Sequence, residues 1–373
     1  MTTTTNMSTT PSMSTNMPSI PGLRLPRPSV RDLVPYEATE PTAAIMLSAN
    51  EAPETLPDEV LRELKAGLSD FAWRKYPDPL ARQLRALIAE ANGLEDEQVL
   101  LGNGGDELIL DLFLAWGGKD RCFLNLPPTF SLYEIYAHTT ETRTVALPRD
   151  RETFAVAVDA TAARLSAGDI DLCIVANPNN PSGNMSAEDE LQRLLETSNA
   201  LICVDEAYFE FSRRTMRPWL DRYPNLAILR TFSKAFSLAG LRLGYILASP
   251  EVIATLAKVR MPYSVNAFSQ WVGRVAYAHA NLFEPRIRAI VEQRDWLYTQ
   301  LDAIPTVEVW PSEANYLLFR TTNAHRVAQR LLQDYDICIR DFSRAAYLTD
   351  CLRVTVGTPA QNEAFLQALR SIV

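Results

Sequence analysis

From Leu47 onward the chain alternates between amphipathic stretches and short runs that are apolar throughout. Pro57 to Leu68 (PDEVLRELKAGL) opens on proline and places Val60, Leu61, Leu64 and Leu68 at helical spacing. Leu80 to Asn92 predicts a second amphipathic helix. Gly93 follows it, and glycine readily takes the left-handed conformation that closes many helices. Gln98 to Gly102 reads as a strand running into a glycine-rich turn, and Asp106 to Trp116 as a helix. Four apolar runs come next: Cys122 to Leu126, Leu172 to Ala176, Ala200 to Val204 and Leu226 to Thr231. A fifth is Gly244 to Ala248. Runs that are apolar on both faces, separated by helical segments, predict an α/β fold with a mostly parallel sheet between helices. Sites in such sheets form at the carboxyl ends of the strands.

After Pro262 the texture changes. Phe283 to Leu301, Ala324 to Asp334 and Gln361 to Ile372 read as helices, and Tyr316 to Phe319, Ile337 to Arg340 and Leu352 to Val356 as strands. This predicts a smaller α+β domain over residues 266–373, beside a large domain over residues 47–265. Residues 1–22 are low-complexity, rich in Thr, Ser, Met and Pro, and are expected to form a disordered tail. Residues 23–46 are expected to form an arm that packs with the small domain.

Composition narrows the function. A chain of 373 residues with 47% hydrophobic content can bury a large core. Its net charge of −9 argues against nucleic acid or an anionic membrane as partner. No apolar run approaches the roughly 18 residues of a membrane span, and no secretory signal pattern opens the chain. The five cysteines are odd in number and lack C-x-x-C spacing, as expected of buried thiols in a reducing compartment, the cytoplasm. The three histidines show no metal-ligand spacing, so no metal is expected. Neither a Walker motif nor a G-x-G-x-x-G run is present.

Several polar residues stand where strands end. Lys234 lies between apolar neighbours in RTFSKAFSLAGLRLGY, preceded by the hydroxyl of Ser233 and followed by Arg242. Asp205 ends the run LICVD. A carboxylate there is costly unless partnered, and both a helix cap and a cationic ring nitrogen are open as its partner. Tyr208 follows three residues later. Asn180 sits in the turn-forming run ANPNNPSG. Gly102 to Asp106 (GNGGD) joins a strand to a helix, and reads either as a plain tight turn or as free N–H groups for a phosphate. A lysine amine, a buried carboxylate, hydroxyl and amide donors and a phosphate cradle are together what pyridoxal 5′-phosphate (PLP) requires.

The runs LSANEAP, RKYPDP, GNGGDE, LPPTFSLY, NPNNPSG, VDEAYFEF, LRTFSKAFSLAGLRLGY, SEANYLLFR and CLRVTVGT follow one another across residues 24–373. In this the chain resembles the fold-type I PLP enzymes of the class I/II aminotransferase group, and most closely the histidinol-phosphate aminotransferases. The resemblance implies that Lys234 holds PLP as a Schiff base, Asp205 pairs with the ring nitrogen, and Asn180 and Tyr208 meet the phenolate oxygen. It gives the phosphate to Ser233, Arg242 and the turn Gly104, Gly105 and Asp106, and the ring face to Phe130. Tyr76 would reach the cofactor of a neighbouring subunit, which implies a homodimer with shared sites. Arg353, assisted by Asn50 and Asn315, would bind the anionic end of the substrate, with Arg340 a second anion contact. The implied reaction takes L-histidinol phosphate and 2-oxoglutarate to imidazole acetol phosphate and L-glutamate. Ala52 and Phe130 depart from the Tyr or Asn, and the Tyr, of many relatives. An aromatic amino-acid aminotransferase, a threonine-phosphate decarboxylase and a non-enzymatic ligand-binding relative are the alternatives.

Overall fold

The computed structural model describes residues 24–31, 33 and 41–373. The chain forms two units, residues 1–39 and residues 40–373. In the first, the described residues hold one helical turn, Pro28–Arg31. The expected tail over 1–22, and residues 23, 32 and 34–40 of the expected arm, lie outside the described residues.

The second unit contains two sheets. The larger is built from β2 (Val99–Gly102), β3 (Cys122–Asn125), β4 (Arg143–Ala146), β5 (Leu172–Ala176), β6 (Leu201–Asp205), β7 (Leu226–Thr231) and β8 (Gly244–Ala248), in the order β2-β8-β7-β6-β5-β3-β4. Strands β4, β3, β5, β6 and β7 are parallel, and for β3, β5, β6 and β7 the apolar runs predict this. Strand β8 is antiparallel to both its neighbours. It therefore starts at the edge where the others end.

Side chains alternate strictly between two cores. Ile202 and Val204 of β6 face one hydrophobic cluster, and Leu201 and Cys203 face the other. The second cluster is filled by the helices Gly104–Trp116 and Leu132–Thr139 through Leu108, Leu112, Phe113, Tyr133 and Ala137. Each fully buried leucine or phenylalanine among them contributes about 1.5–3 kcal/mol. Asp205 has the parity of Leu201 and Cys203, so it points to the Tyr133 side.

The smaller sheet joins β1 (Ile45–Leu47), β9 (Val307–Val309), β10 (Tyr316–Thr321), β11 (Ile337–Asp341) and β12 (Cys351–Thr355), in the order β1-β11-β12-β10-β9. The helices Glu284–Asp302, Ala324–Tyr335 and Pro359–Ile372 cover it, with Leu301, Leu331 and Phe365 in their shared core. Strand β1 pairs with β11, Leu47 opposite Ile339. The helix Ala267–Ala278 lies beyond the expected boundary at residue 265, yet Val272, Val275 and Ala276 pack into the large-sheet core.

Candidate active site

The carboxyl ends of β2, β5, β6 and β7 and the start of β8 meet along one edge. They deliver in turn Gly104, Asn180, Asp205, Lys234 and Arg242. The smaller sheet contributes Arg353 from β12 and, just past β1, Ser48, Ala49 and Asn50.

Asp205 is buried at the end of β6. Its Oδ2 accepts a 2.5 Å hydrogen bond from the Tyr133 hydroxyl, and its Oδ1 accepts one from the Ala207 amide at 3.0 Å. Burial pushes its carboxyl up to about 6, against the lowering effect of those two donors. No cation pairs with it among the described residues. A buried carboxylate with two donors and no counter-charge fits a cationic ring nitrogen, the group that pyridoxal phosphate would place there. The reading of Asp205 as a helix cap is weaker, because its strongest donor is a phenol from another element and only one short bond goes to the local backbone.

Tyr133 was not singled out in the sequence. The signal was available: in LPPTFSLY it lies three residues after Phe130, and the two rings meet edge to face at 5.6 Å. Phe130 itself is half-buried. Tyr208 is buried, and its hydroxyl accepts a 2.9 Å hydrogen bond from Nδ2 of Asn50. Asn50 is held in turn by Thr355, whose hydroxyl accepts from the Asn50 amide at 2.9 Å and donates to its Oδ1 at 3.1 Å. Asn315 donates to the Asn50 carbonyl at 3.0 Å. These contacts fix Asn50 at φ 55°, a left-handed conformation that Asn tolerates better than most residues.

The glycine-rich turn is more helical than expected. The helix begins at Gly104, so Gly104, Gly105 and Asp106 form its first turn, where backbone N–H groups have no partner within the helix. Gly104 has φ 84°, and a Cβ there would lie 2.7 Å from Nη2 of Arg242. Gly244 is equally tight: a Cβ on it would lie 2.9 Å from the Gly105 nitrogen. Arg242 donates to Asp106 at 2.8 Å. Ser233 is buried, and its hydroxyl accepts from Thr231 at 2.9 Å. A helix start with an arginine against it fits a phosphate, and the Ser233 hydroxyl lies at the end of the neighbouring strand β7.

The half-buried Lys234 donates from Nζ to the Ala49 carbonyl at 3.0 Å. Burial, aided by the nearby Arg353, lowers its amine to about 8. A share of it is thus neutral and nucleophilic near pH 7. Arg353 is buried on β12, donating to Oδ1 of Asn180 at 2.5 Å and to the Ser48 carbonyl at 2.6 Å, with its guanidinium 5.1 Å from the Tyr316 ring. Arg340 of β11 lies directly across from it in the ladder. The structure thus brings together every expected site residue but one. Tyr76 makes no hydrogen bond or ring contact with any of them; the residue is 83% exposed, and its ring stacks on Tyr263 at 5.1 Å.

Residues 42–369 match the family described as Aminotransferase class I and II. The chain belongs to the class I and II aminotransferases. It is accordingly a PLP-dependent transaminase. It is 40% identical to histidinol-phosphate aminotransferase 1 of Carboxydothermus hydrogenoformans, covering 91% of this chain and 96% of that protein. It is 38% identical to histidinol-phosphate aminotransferase of Thermococcus kodakarensis, covering 92% and 97%. Among solved structures, histidinol-phosphate aminotransferase from Sinorhizobium meliloti in complex with pyridoxal-5′-phosphate superposes with a TM-score of 0.81 at 22% identity, covering 89% and 92% of the two chains. L-threonine-O-3-phosphate decarboxylase from Porphyromonas gingivalis superposes with a TM-score of 0.77 at 27% identity, covering 88% and 98%.

Proposed function

We propose that this aminotransferase takes L-histidinol phosphate as amino donor and 2-oxoglutarate as acceptor, in histidine biosynthesis in the cytoplasm. Two groups carry the cofactor chemistry: the buried Asp205, which has no cation paired with it among the described residues, and the Lys234 amine that follows the adjacent strand β7. The substrate is supported by the relatives named histidinol-phosphate aminotransferase at 38–40% identity and by the paired arginines of β11 and β12.

Bound PLP supplies an electron sink for the α-carbon of the amino donor. The residues then divide the work. Lys234 would hold the cofactor, and its amine would move a proton at the substrate α-carbon. Asp205 keeps the ring nitrogen protonated, with Tyr133 holding its carboxylate in place. Tyr208 and Asn180 would hold the phenolate oxygen, and Phe130 would cover the ring. Ser233, Arg242 and the first turn of the Gly104 helix hold the phosphate. Arg353 receives the substrate anion with Asn50 and Asn315 beside it, and Arg340 adds a second cation. Tyr76, on an exposed aromatic surface, serves the site of a second copy of the chain in a homodimer.

A donor screen with purified protein, PLP and 2-oxoglutarate tests the assignment. Histidinol phosphate is expected to give the highest kcat/KM among histidinol phosphate, Phe, Tyr and phosphothreonine. A clear preference for Phe or Tyr overturns the substrate while leaving the transaminase. Carbon dioxide release from phosphothreonine points instead to the decarboxylase chemistry of the Porphyromonas gingivalis neighbour.

A further inference from the structure

Arg149 is almost fully buried, 3% exposed, and no carboxylate pairs with it among the described residues. Burying a cation without a counter-charge costs several kcal/mol unless other groups compensate. Here three backbone carbonyls do so. Its Nε donates to Leu126 at 3.2 Å, Nη1 to Phe154 at 3.3 Å and Nη2 to Ala176 at 3.4 Å. Its own amide donates to the Pro127 carbonyl at 2.7 Å, which continues the β3–β4 ladder past the strand ends. Burial lowers the guanidinium to about 10, so it remains a cation at neutral pH.

Two of the three carbonyls lie at the ends of adjacent strands. Leu126 is the first residue after β3, and Ala176 the last of the adjacent strand β5. Four residues beyond Leu126 comes Phe130, and four beyond Ala176 comes Asn180. The same two loops are tied again farther out. The buried Asn179 donates from Nδ2 to the Pro128 carbonyl at 3.0 Å and accepts from the Thr129 hydroxyl at 2.9 Å. The Tyr316 hydroxyl then secures the Asn179 carbonyl at 2.7 Å. Arg149 therefore grips the two loops at their roots and Asn179 joins them near their tips.

We infer that Arg149 is a positioning residue that sets the gap between Phe130 and Asn180. This rests on the reading that places those two residues on the face and the phenolate oxygen of the PLP ring. The guanidinium donates to backbone carbonyls, and through Leu126 and Ala176 it fixes the points from which both loops leave the sheet. A misplacement of about 1 Å at reacting groups can lower a rate by about a hundredfold, so a clamp at the loop roots is felt in the chemistry.

Arg149→Lys and Arg149→Met test this. Lysine keeps the charge but lacks the planar fork that meets three carbonyls in separate directions. Each protein is compared with the parent by PLP titration of the apoprotein, by the visible circular dichroism band of the bound cofactor, by kcat and KM for the donor that the parent prefers, and by Tm. Arg149→Lys is expected to fold, to bind PLP about tenfold more weakly, to show an altered visible band, and to lose kcat about 10- to 100-fold with a smaller change in KM. Arg149→Met is expected to go further in the same direction. If Arg149→Met does not fold, the lysine variant decides alone. Parental PLP affinity and an unchanged visible band in Arg149→Lys overturn the inference, as does a lowered Tm with those two readouts unmoved. A parent that shows no visible band with PLP overturns the cofactor placement itself, a different result from parental behaviour in the variants.

Discussion

The guanidinium groups of Arg340 and Arg353 stand opposite each other in the β11–β12 ladder and share one aromatic ring, Phe342, lying 5.9 Å and 5.5 Å from its centroid. Like charges directly across a ladder repel, and an anion between them relieves the repulsion. A phosphate or a carboxylate suits the planar fork of arginine. Arg353→Ala is expected to lower kcat/KM in both half-reactions by about 100-fold or more, since it removes a buried, hydrogen-bonded charge. The half-buried Arg340 is expected to matter by about tenfold for histidinol phosphate and much less for Phe. Equal losses for the two donors in Arg340→Ala would remove it from substrate recognition.

The Tyr133–Asp205 contact predicts a pH dependence. In the folded apoprotein Asp205 titrates near 6, against an ordinary value of 3.8. Between these values the folded chain binds the proton more tightly than the unfolded chain. Stability therefore falls as pH rises from about 4 to about 6, and this contribution is level above that range. Asp205→Asn is expected to remove that share of the decline, on the order of 2–3 kcal/mol. Tyr133→Phe removes a donor that lowers the carboxyl, so its decline should extend above pH 6. Urea unfolding of the apoproteins from pH 4 to 8 measures both. Superimposable profiles for Tyr133→Phe and the parent would show that the phenol does not tune the carboxylate.

Lys234, lowered to about 8, predicts when the cofactor is captured. The rate at which apoprotein takes up PLP should rise with pH through that value as the amine loses its proton. Borohydride treatment of the loaded protein should fix PLP on Lys234, read by mass spectrometry of the digest. Lys234→Ala should still bind PLP but not turn over. Labelling of any other lysine contradicts the assignment.

Tyr76 predicts shared sites. Lys234→Ala and Tyr76→Ala subunits are each expected to be severely impaired. When mixed under conditions of demonstrated subunit exchange, they should recover activity, because one site of each mixed pair regains both residues. No recovery would restrict Tyr76 to its own chain.

Local pattern carried much of this architecture. The apolar runs anticipated β5, β7 and β8 residue for residue, and Gly93 at φ 59° closes the helix that it was expected to end. Strand β4 was silent, because RTVA lies at the sheet edge with mostly exposed side chains and has no apolar signature. The reversed β8 was equally hidden: GYILA is buried throughout and reads the same in either direction. At the site, residues inside recognisable runs were legible. Arg149 was not, since an arginine in PRDR reads as surface until the fold closes around it. Thr355 escaped notice although it shares its strand face with Arg353, two residues earlier.

The contacts of Asn50 also bear on how the chain reaches this state. Its bonds span 158 residues to Tyr208, 265 to Asn315 and 305 to Thr355, and Lys234 reaches back 185 residues to Ala49. Contacts at such separation form only after much of the intervening chain has been ordered, because closing long loops costs entropy before any bond rewards it. The pocket is thus among the last parts to assemble. In refolding from urea, helical signal should return first, and the ability to capture PLP should lag behind it, making cofactor uptake a direct readout of completed folding.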